Sequence, residues 1–156
     1  MSDDAYMREA VAISKERMLA GEGGPFGAVI VRDGAIIARG WNRVTSTKDP
    51  TAHAEVVAIR RACEAVGDFS LAGATIYTSC EPCPMCLAAI HWARIDRIVF
   101  ANTRQDAAAI GFDDALIYDE IGKPITNRLI PTEHQPLAEA GEVFEMWLRK
   151  ADRIAY

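Results

Sequence analysis

The stretch Pro82-Cys83-Pro84-Met85-Cys86 constrains this chain more than any other. A proline in the first turn of a helix gives up an N–H that would be unpaired anyway, so Pro82 and Pro84 mark a chain entering a helix, expected over 83–94. An apolar run at 74–78 precedes this stretch, and a second at 97–101 follows the helix. Strand, helix and strand joined by short loops form a crossover unit, which predicts two parallel strands. The same helical turn carries two thiols three residues apart, where the positive helix end favours thiolate.

The remaining segments build outward from this unit. Ser2 or Asp3 caps a first helix expected to run to about residue 20, with Met7, Ala10, Val11 and Met18 on one stripe and Gly21 as its stop. Gly23-Gly24-Pro25-Phe26-Gly27 punctuates a turn before a strand at 28–32. Asp33-Gly34 is the strongest hairpin signal, leading into a strand at 35–39. After a polar loop at 42–50, a helix over 53–66 presents Val56, Ile59, Cys63 and Val66 on a bulky face, with Ala54, Ala58, Ala62 and Ala65 permitting close approach of a neighbour. Beyond Gly111 the pattern is less regular until a last helix at 137–150 with Ala140, Phe144, Trp147 and Leu148. The order α-β-β-α-β-α-β-α predicts one three-layer α/β domain with a mixed sheet, spanning 1–156.

Composition removes several function classes. Half of the 156 residues are hydrophobic and a quarter charged, as in a globular protein. No apolar run is long enough for a bilayer, and Met1-Ser2-Asp3-Asp4 lacks the basic start of a signal peptide, so the expected compartment is the cytoplasm and no membrane partner is expected. A net charge of −5 disfavours a nucleic-acid partner. Of four cysteines, Cys80, Cys83 and Cys86 crowd together, which suits a metal or redox role better than disulfides.

His53, Cys83 and Cys86 are the candidate ligands, and three ligands from protein are what a catalytic zinc site uses. Cys80 forms an overlapping pair with Cys83 but falls at the end of the preceding strand, outside the expected ligand set. A redox pair, or a four-ligand structural zinc including Cys80, is the competing use of this spacing. Glu55 separates these readings. Regular helical geometry would place it roughly 200° from His53 in azimuth. The two flank one ion if His53 sits at the helix start, not yet in regular helix, and Glu55 is then a general base beside the metal. A first-turn glutamate that simply complements the helix dipole is the plainer alternative.

His53-Ala54-Glu55 followed by Pro82-Cys83-Pro84-Met85-Cys86 resembles the zinc-dependent nucleobase and nucleoside deaminases. Further stretches are similar to the small bacterial guanine deaminases of that family: Gly23–Ala28, Asp49–Glu55, Tyr77–Glu81, Trp92-Ala93-Arg94, Gly111-Phe112-Asp113-Asp114 and the terminal Tyr156. His91, where an aromatic residue is expected, is a mild departure. The resemblance implies a three-layer α-β-α cytidine deaminase-like fold with a mixed five-stranded sheet. It implies one Zn2+ per chain on His53, Cys83 and Cys86, Glu55 as the unligated proton shuttle, and hydrolysis of guanine to xanthine and ammonia. Phe26 would pack on the base, Asn42 would bond its edge, and Asp114 would meet its amino side as a second catalytic carboxylate. Ala54, Trp92 and Phe112 complete the implied contacts. Homodimers are implied, with the segment from about 131 to 156 exchanged so that Tyr156 enters the neighbouring site. A tRNA adenosine deaminase, a deaminase of cytosine or another nucleobase, and a non-catalytic zinc-stabilised interaction module are the competing functions.

Overall fold

A computed structural model describes residues 2–156 as two compact units, one running to Asp114 and one covering Ala115–Tyr156. In the first unit the chain forms α1 (Asp3–Leu19), β1 (Gly27–Arg32), β2 (Ala35–Trp41), a single turn α2 (Val44–Thr47), α3 (Ala54–Val66), β3 (Ala74–Cys80), α4 (Pro84–Trp92), β4 (Arg97–Asn102) and α5 (Arg104–Ala109).

The sheet is mixed, with strand order β2-β1-β3-β4. Asp33 and Gly34 both have positive φ (53° and 75°), the conformation a tight hairpin turn demands, and β1 and β2 pair antiparallel across it. A bulge at Ile30/Val31 shifts their register by one residue. β1 also pairs antiparallel with β3, and β3 pairs parallel with β4, as the crossover unit around α4 requires.

Both faces of the sheet are covered, so β1 reads as an unbroken apolar run instead of an alternating one. Ala28, Ile30 and Ile76 point to the side where Ala54, Ala58 and Ala62 of α3 and Ile90 of α4 complete a core. Val29, Val31 and Tyr77 point to the other side, against Tyr6, Ala10 and Ile13 of α1. The buried face of α1 is therefore Tyr6-Ala10-Ile13-Ser14; of the expected stripe, Ala10 is buried and Met7 packs against this core, whereas Val11 and Met18 are exposed. Tyr6 turns inward because its hydroxyl donates to the Gly34 carbonyl at 2.7 Å.

The described residues form four strands, not the expected five. After β4 the chain turns helical at once. Thr103 accepts from the Asp106 N–H while the Asp106 carboxylate accepts from the Thr103 N–H, a reciprocal cap that starts the alanine-rich α5.

The second unit contains α6 (Ala115–Gly122), a 3-10 turn at Ile125–Asn127 and α7 (Ala138–Arg149). Pro124 and Pro131 bracket its one β-branched stretch and remove donors that a strand would need. Glu120 accepts from Lys123 at 2.6 Å and from the Leu129 N–H at 2.7 Å, closing the loop after α6. None of its described residues is buried, and Leu116, Ile121, Leu129, Ile130, Phe144 and Trp147 are exposed.

Candidate active site

Two helix starts meet at one point. His53 is the residue before α3, with extended backbone (φ −67°, ψ 157°), and Cys83 holds the same place before α4 (φ −66°, ψ 169°). Neither side chain caps its helix. Each is left free to turn toward the other helix, and Cys86 follows one turn into α4.

The His53 Nδ1 atom lies 3.5 Å from the Cys83 sulfur and 3.5 Å from the Cys86 sulfur. All three donor atoms lie within 4.8 Å of one another. A tetrahedral ion with Zn–S near 2.3 Å and Zn–N near 2.0 Å sets nitrogen and sulfur about 3.5 Å apart, so this donor set fits zinc and leaves one of four positions to a non-protein ligand. Cys80 is the last residue of β3, where its thiol contacts the Thr103 carbonyl at 3.7 Å. Burial, then the nearby Glu55 charge, pushes that thiol up to about 11, the behaviour of a structural cysteine.

Among the protein groups alone, Cys83 and Cys86 share a proton. A hydrogen bond from Cys86, and next in size among the favourable contacts one with His53, lowers Cys83 to about 4, while the same bond to Cys83 pushes Cys86 well above the usual thiol range. A bound divalent ion takes both as thiolates. The hydrogen bond with Cys83 raises the His53 imidazole.

Glu55 is buried in the first turn of α3, and Cys86 Sγ lies 3.4 Å from its Oε2. Burial pushes its carboxyl above the ordinary range, opposed by a bond from its own backbone N–H. The offset between His53 and Glu55 that regular helical geometry would impose does not arise, since His53 precedes the helix.

The other expected residues fall into two groups. Asn42 is buried, and its Oδ1 accepts from the N–H groups of Gly24 (3.2 Å) and Val44 (3.1 Å), so its amide nitrogen is the end not committed to the backbone. Gly23 makes this possible: a Cβ there would lie 2.4 Å from the Asn42 side-chain oxygen. Phe26 and Phe112 stand edge to face with centroids 5.0 Å apart. Asp114 is half-buried, and burial, then the Cys83 charge, raises its carboxyl. Ala54 is fully buried at the first position of α3. Trp92, by contrast, ends α4, nine residues from Cys83 or about 13 Å along a helix, and is 62% exposed. Tyr156 belongs to the second unit and is exposed.

Sequence reasoning gave no role to the supports behind this cluster. The buried Ser79 hydroxyl accepts from the Gly27 N–H at 3.0 Å, tying the glycine-rich turn to the end of β3. Glu81 accepts from the Arg104 N–H at 2.7 Å, anchoring α5 beside Pro82. Both lie in the Tyr77–Glu81 stretch singled out by its family resemblance, which gave them no role.

The zinc-binding region of cytidine and deoxycytidylate deaminases matches residues 1–102. Guanine deaminase from Bacillus subtilis is 51% identical over the whole of both chains. The X-ray structure of that enzyme superposes with a TM-score of 0.98 over 100% of this chain and 99% of the other. A tRNA-specific adenosine deaminase from Aquifex aeolicus is 32% identical over 96% of each chain.

Proposed function

Because this chain belongs to the cytidine and deoxycytidylate deaminase family, we propose that it hydrolyses guanine to xanthine and ammonia at a site where His53, Cys83 and Cys86 hold one zinc ion. The observation that carries the substrate is the 51% identity to a guanine deaminase along the full length of both proteins.

Held by these three residues, a zinc ion would lower the pKa of water toward neutrality and so supply the nucleophile. Glu55 moves the protons. Its raised pKa suits a group that takes the water's proton and hands it to the ring nitrogen beside C2 as the C2–O bond forms. The Glu55 carboxylate then takes the proton of the new C2 hydroxyl and gives it to the 2-amino group; the C2–N bond breaks, ammonia leaves and the C2 carbonyl of xanthine remains. Asp114, as an acceptor, holds the N1–H and the departing amine. The Phe26–Phe112 pair packs on the base, and the Asn42 amide nitrogen donates to its edge. The Ala54 N–H, at the start of α3 and without a partner in the helix ladder, is a further donor.

The exposed apolar side chains of the second unit support a homodimer, because monomers rarely leave so large an apolar surface open. In this reading the segment from about 131 to 156 is exchanged between subunits. Tyr156 of the partner subunit then closes over the base. Deleting Ala155 and Tyr156 is expected to cut turnover while fold and zinc content stay unchanged; unaltered kinetics would remove the tail from the site.

The discriminating assay is ammonia release from guanine, adenine, cytosine, guanosine and a tRNA anticodon stem-loop. Guanine is expected to react fastest. An inert guanine with a reactive stem-loop would replace this reading with RNA editing.

A further inference from the structure

A cavity of about 260 Å3 beside α3 is lined by the guanidinium-bearing residues Arg43, Arg60 and Arg61, together with Asp49 and Thr47. No metal-site residue lines it. Three cations against one carboxylate is a local excess that runs against the chain's net charge of −5.

The carboxylates within reach are already engaged. Asp49 Oδ1 accepts from the Thr51 hydroxyl at 2.7 Å and the Thr51 N–H at 2.9 Å, while its Oδ2 takes a long contact from Arg60 at 3.5 Å and Arg60 also donates to the Thr51 hydroxyl oxygen at 3.4 Å. Glu22 accepts from the Trp41 indole at 2.9 Å and stands 3.7 Å from both Arg17 and Arg43. Elsewhere the Arg97–Asp3, Arg39–Glu9 and Arg8–Asp4 pairs close to 2.6–2.8 Å. Arg43 Nε is the one buried side-chain nitrogen or oxygen without a hydrogen-bond partner among the described residues; the Glu22 oxygen at 3.7 Å attracts it but is too far to bond. The Arg43 side chain as a whole is 38% exposed, but a buried N–H without an acceptor is still costly, and natural structures keep few of them.

The positive charges are also held against one another. Arg17 and Arg61 both stand 4.1 Å from the centroid of the Trp41 ring, and Arg61 donates to the Arg39 carbonyl at 3.1 Å. Burial, then repulsion by Arg43 and Arg17, lowers the Arg61 guanidinium. Trp41 and the backbone thus fix Arg61 in place without neutralising it.

We propose that this cavity binds a phosphoryl group, either inorganic phosphate or the phosphate end of a small monoester, between Arg43, Arg60 and Arg61. The planar guanidinium fork matches tetrahedral phosphate oxygens two at a time, and a dianion offsets the local excess. The volume falls below the roughly 300–1,000 Å3 typical of drug-sized ligand sites, which suits a phosphoryl group with little attached. The site stands apart from the deamination reading, since neither guanine nor xanthine carries a phosphate.

The test is calorimetric titration of the full-length, zinc-loaded protein with inorganic phosphate and with ribose 5-phosphate, in chloride buffer of constant ionic strength. Saturable binding of one phosphate per chain is expected, weakened about tenfold by Arg61→Gln. Arg60 is 59% exposed, so Arg60→Gln keeps the fold and serves where Arg61→Gln does not; it is expected to weaken binding about threefold. Tighter binding of ribose 5-phosphate would identify an organic phosphate as the occupant, and tighter binding of phosphate the free ion; either supports the site. No heat beyond that of added chloride, or phosphate binding unchanged in both variants, would overturn it.

Discussion

Apart from the single turn α2, where Arg43 also makes no side-chain cap, the helices of the first unit start in two ways. Ser2 before α1 and Thr103 before α5 use their side chains to satisfy backbone N–H groups of the first turn. His53 before α3 and Cys83 before α4 occupy the same extended position and cap nothing. The difference separates stability from chemistry. Where the helix start only has to hold, an oxygen is spent on the backbone; where it has to bind a metal, the cap is given up and the side chain is free to reach across.

This contrast orders the expected effects of mutation. Replacing His53 or Cys83 by alanine should be the largest, reducing zinc from one per chain to near zero and abolishing turnover, as measured by elemental analysis and ammonia release. Zinc retained at full stoichiometry after either change would mean the geometry was misread. Glu55→Gln comes next, with zinc kept and kcat lowered by about 10²–10⁴, the usual share of a general acid–base group. A coincident loss of metal would make Glu55 a ligand.

The capping starts should behave oppositely. Thr103→Ala is expected to cost about 1 kcal/mol, seen as a drop of a few degrees in Tm, with kcat/KM unchanged. The smallest effect belongs to Asp3 in the first turn of α1. Arg97 first, then Tyr77, hold its carboxyl below the ordinary 3.8 through hydrogen bonds. A depressed carboxylate contributes stability that is fully present above its unfolded value and is lost as pH falls through the folded one. Asp3→Asn should therefore lower Tm at neutral pH and match the parent protein once the pH drops below the folded value. A difference that persists in acid would assign the effect to something other than the ion pair.

Local signals made part of this legible in the sequence. Asp33-Gly34 specified a turn that few other dipeptides can make, and Pro82 with Pro84 specified a helix entry, so the hairpin and the parallel β3–β4 pair followed directly. The irregular start of α3 was also readable, because His53 and Glu55 can flank one ion only if His53 lies outside the regular helix.

What failed was phase and edge. Apolar residues sit on more than one side of α1, and only the tertiary partner selects Tyr6 over Val11; on α3 the expected Ala54, Ala58 and Ala62 lie in the core, with Ile59, Cys63 and Val66 packed against it. The fifth strand failed because the capping box at Thr103 commits the chain to α5 immediately after β4. The arginine cavity was invisible because it gathers residues from the loop after β2 and from α3 around Trp41, with no local spacing to announce it.

The zinc environment of the loaded protein, read by X-ray absorption, tests the central claim most directly. Two sulfurs, one nitrogen and one oxygen are the expected neighbours, the oxygen exchanging with solvent. Three sulfurs and one nitrogen would place Cys80 on the metal, leave no open position and contradict the account.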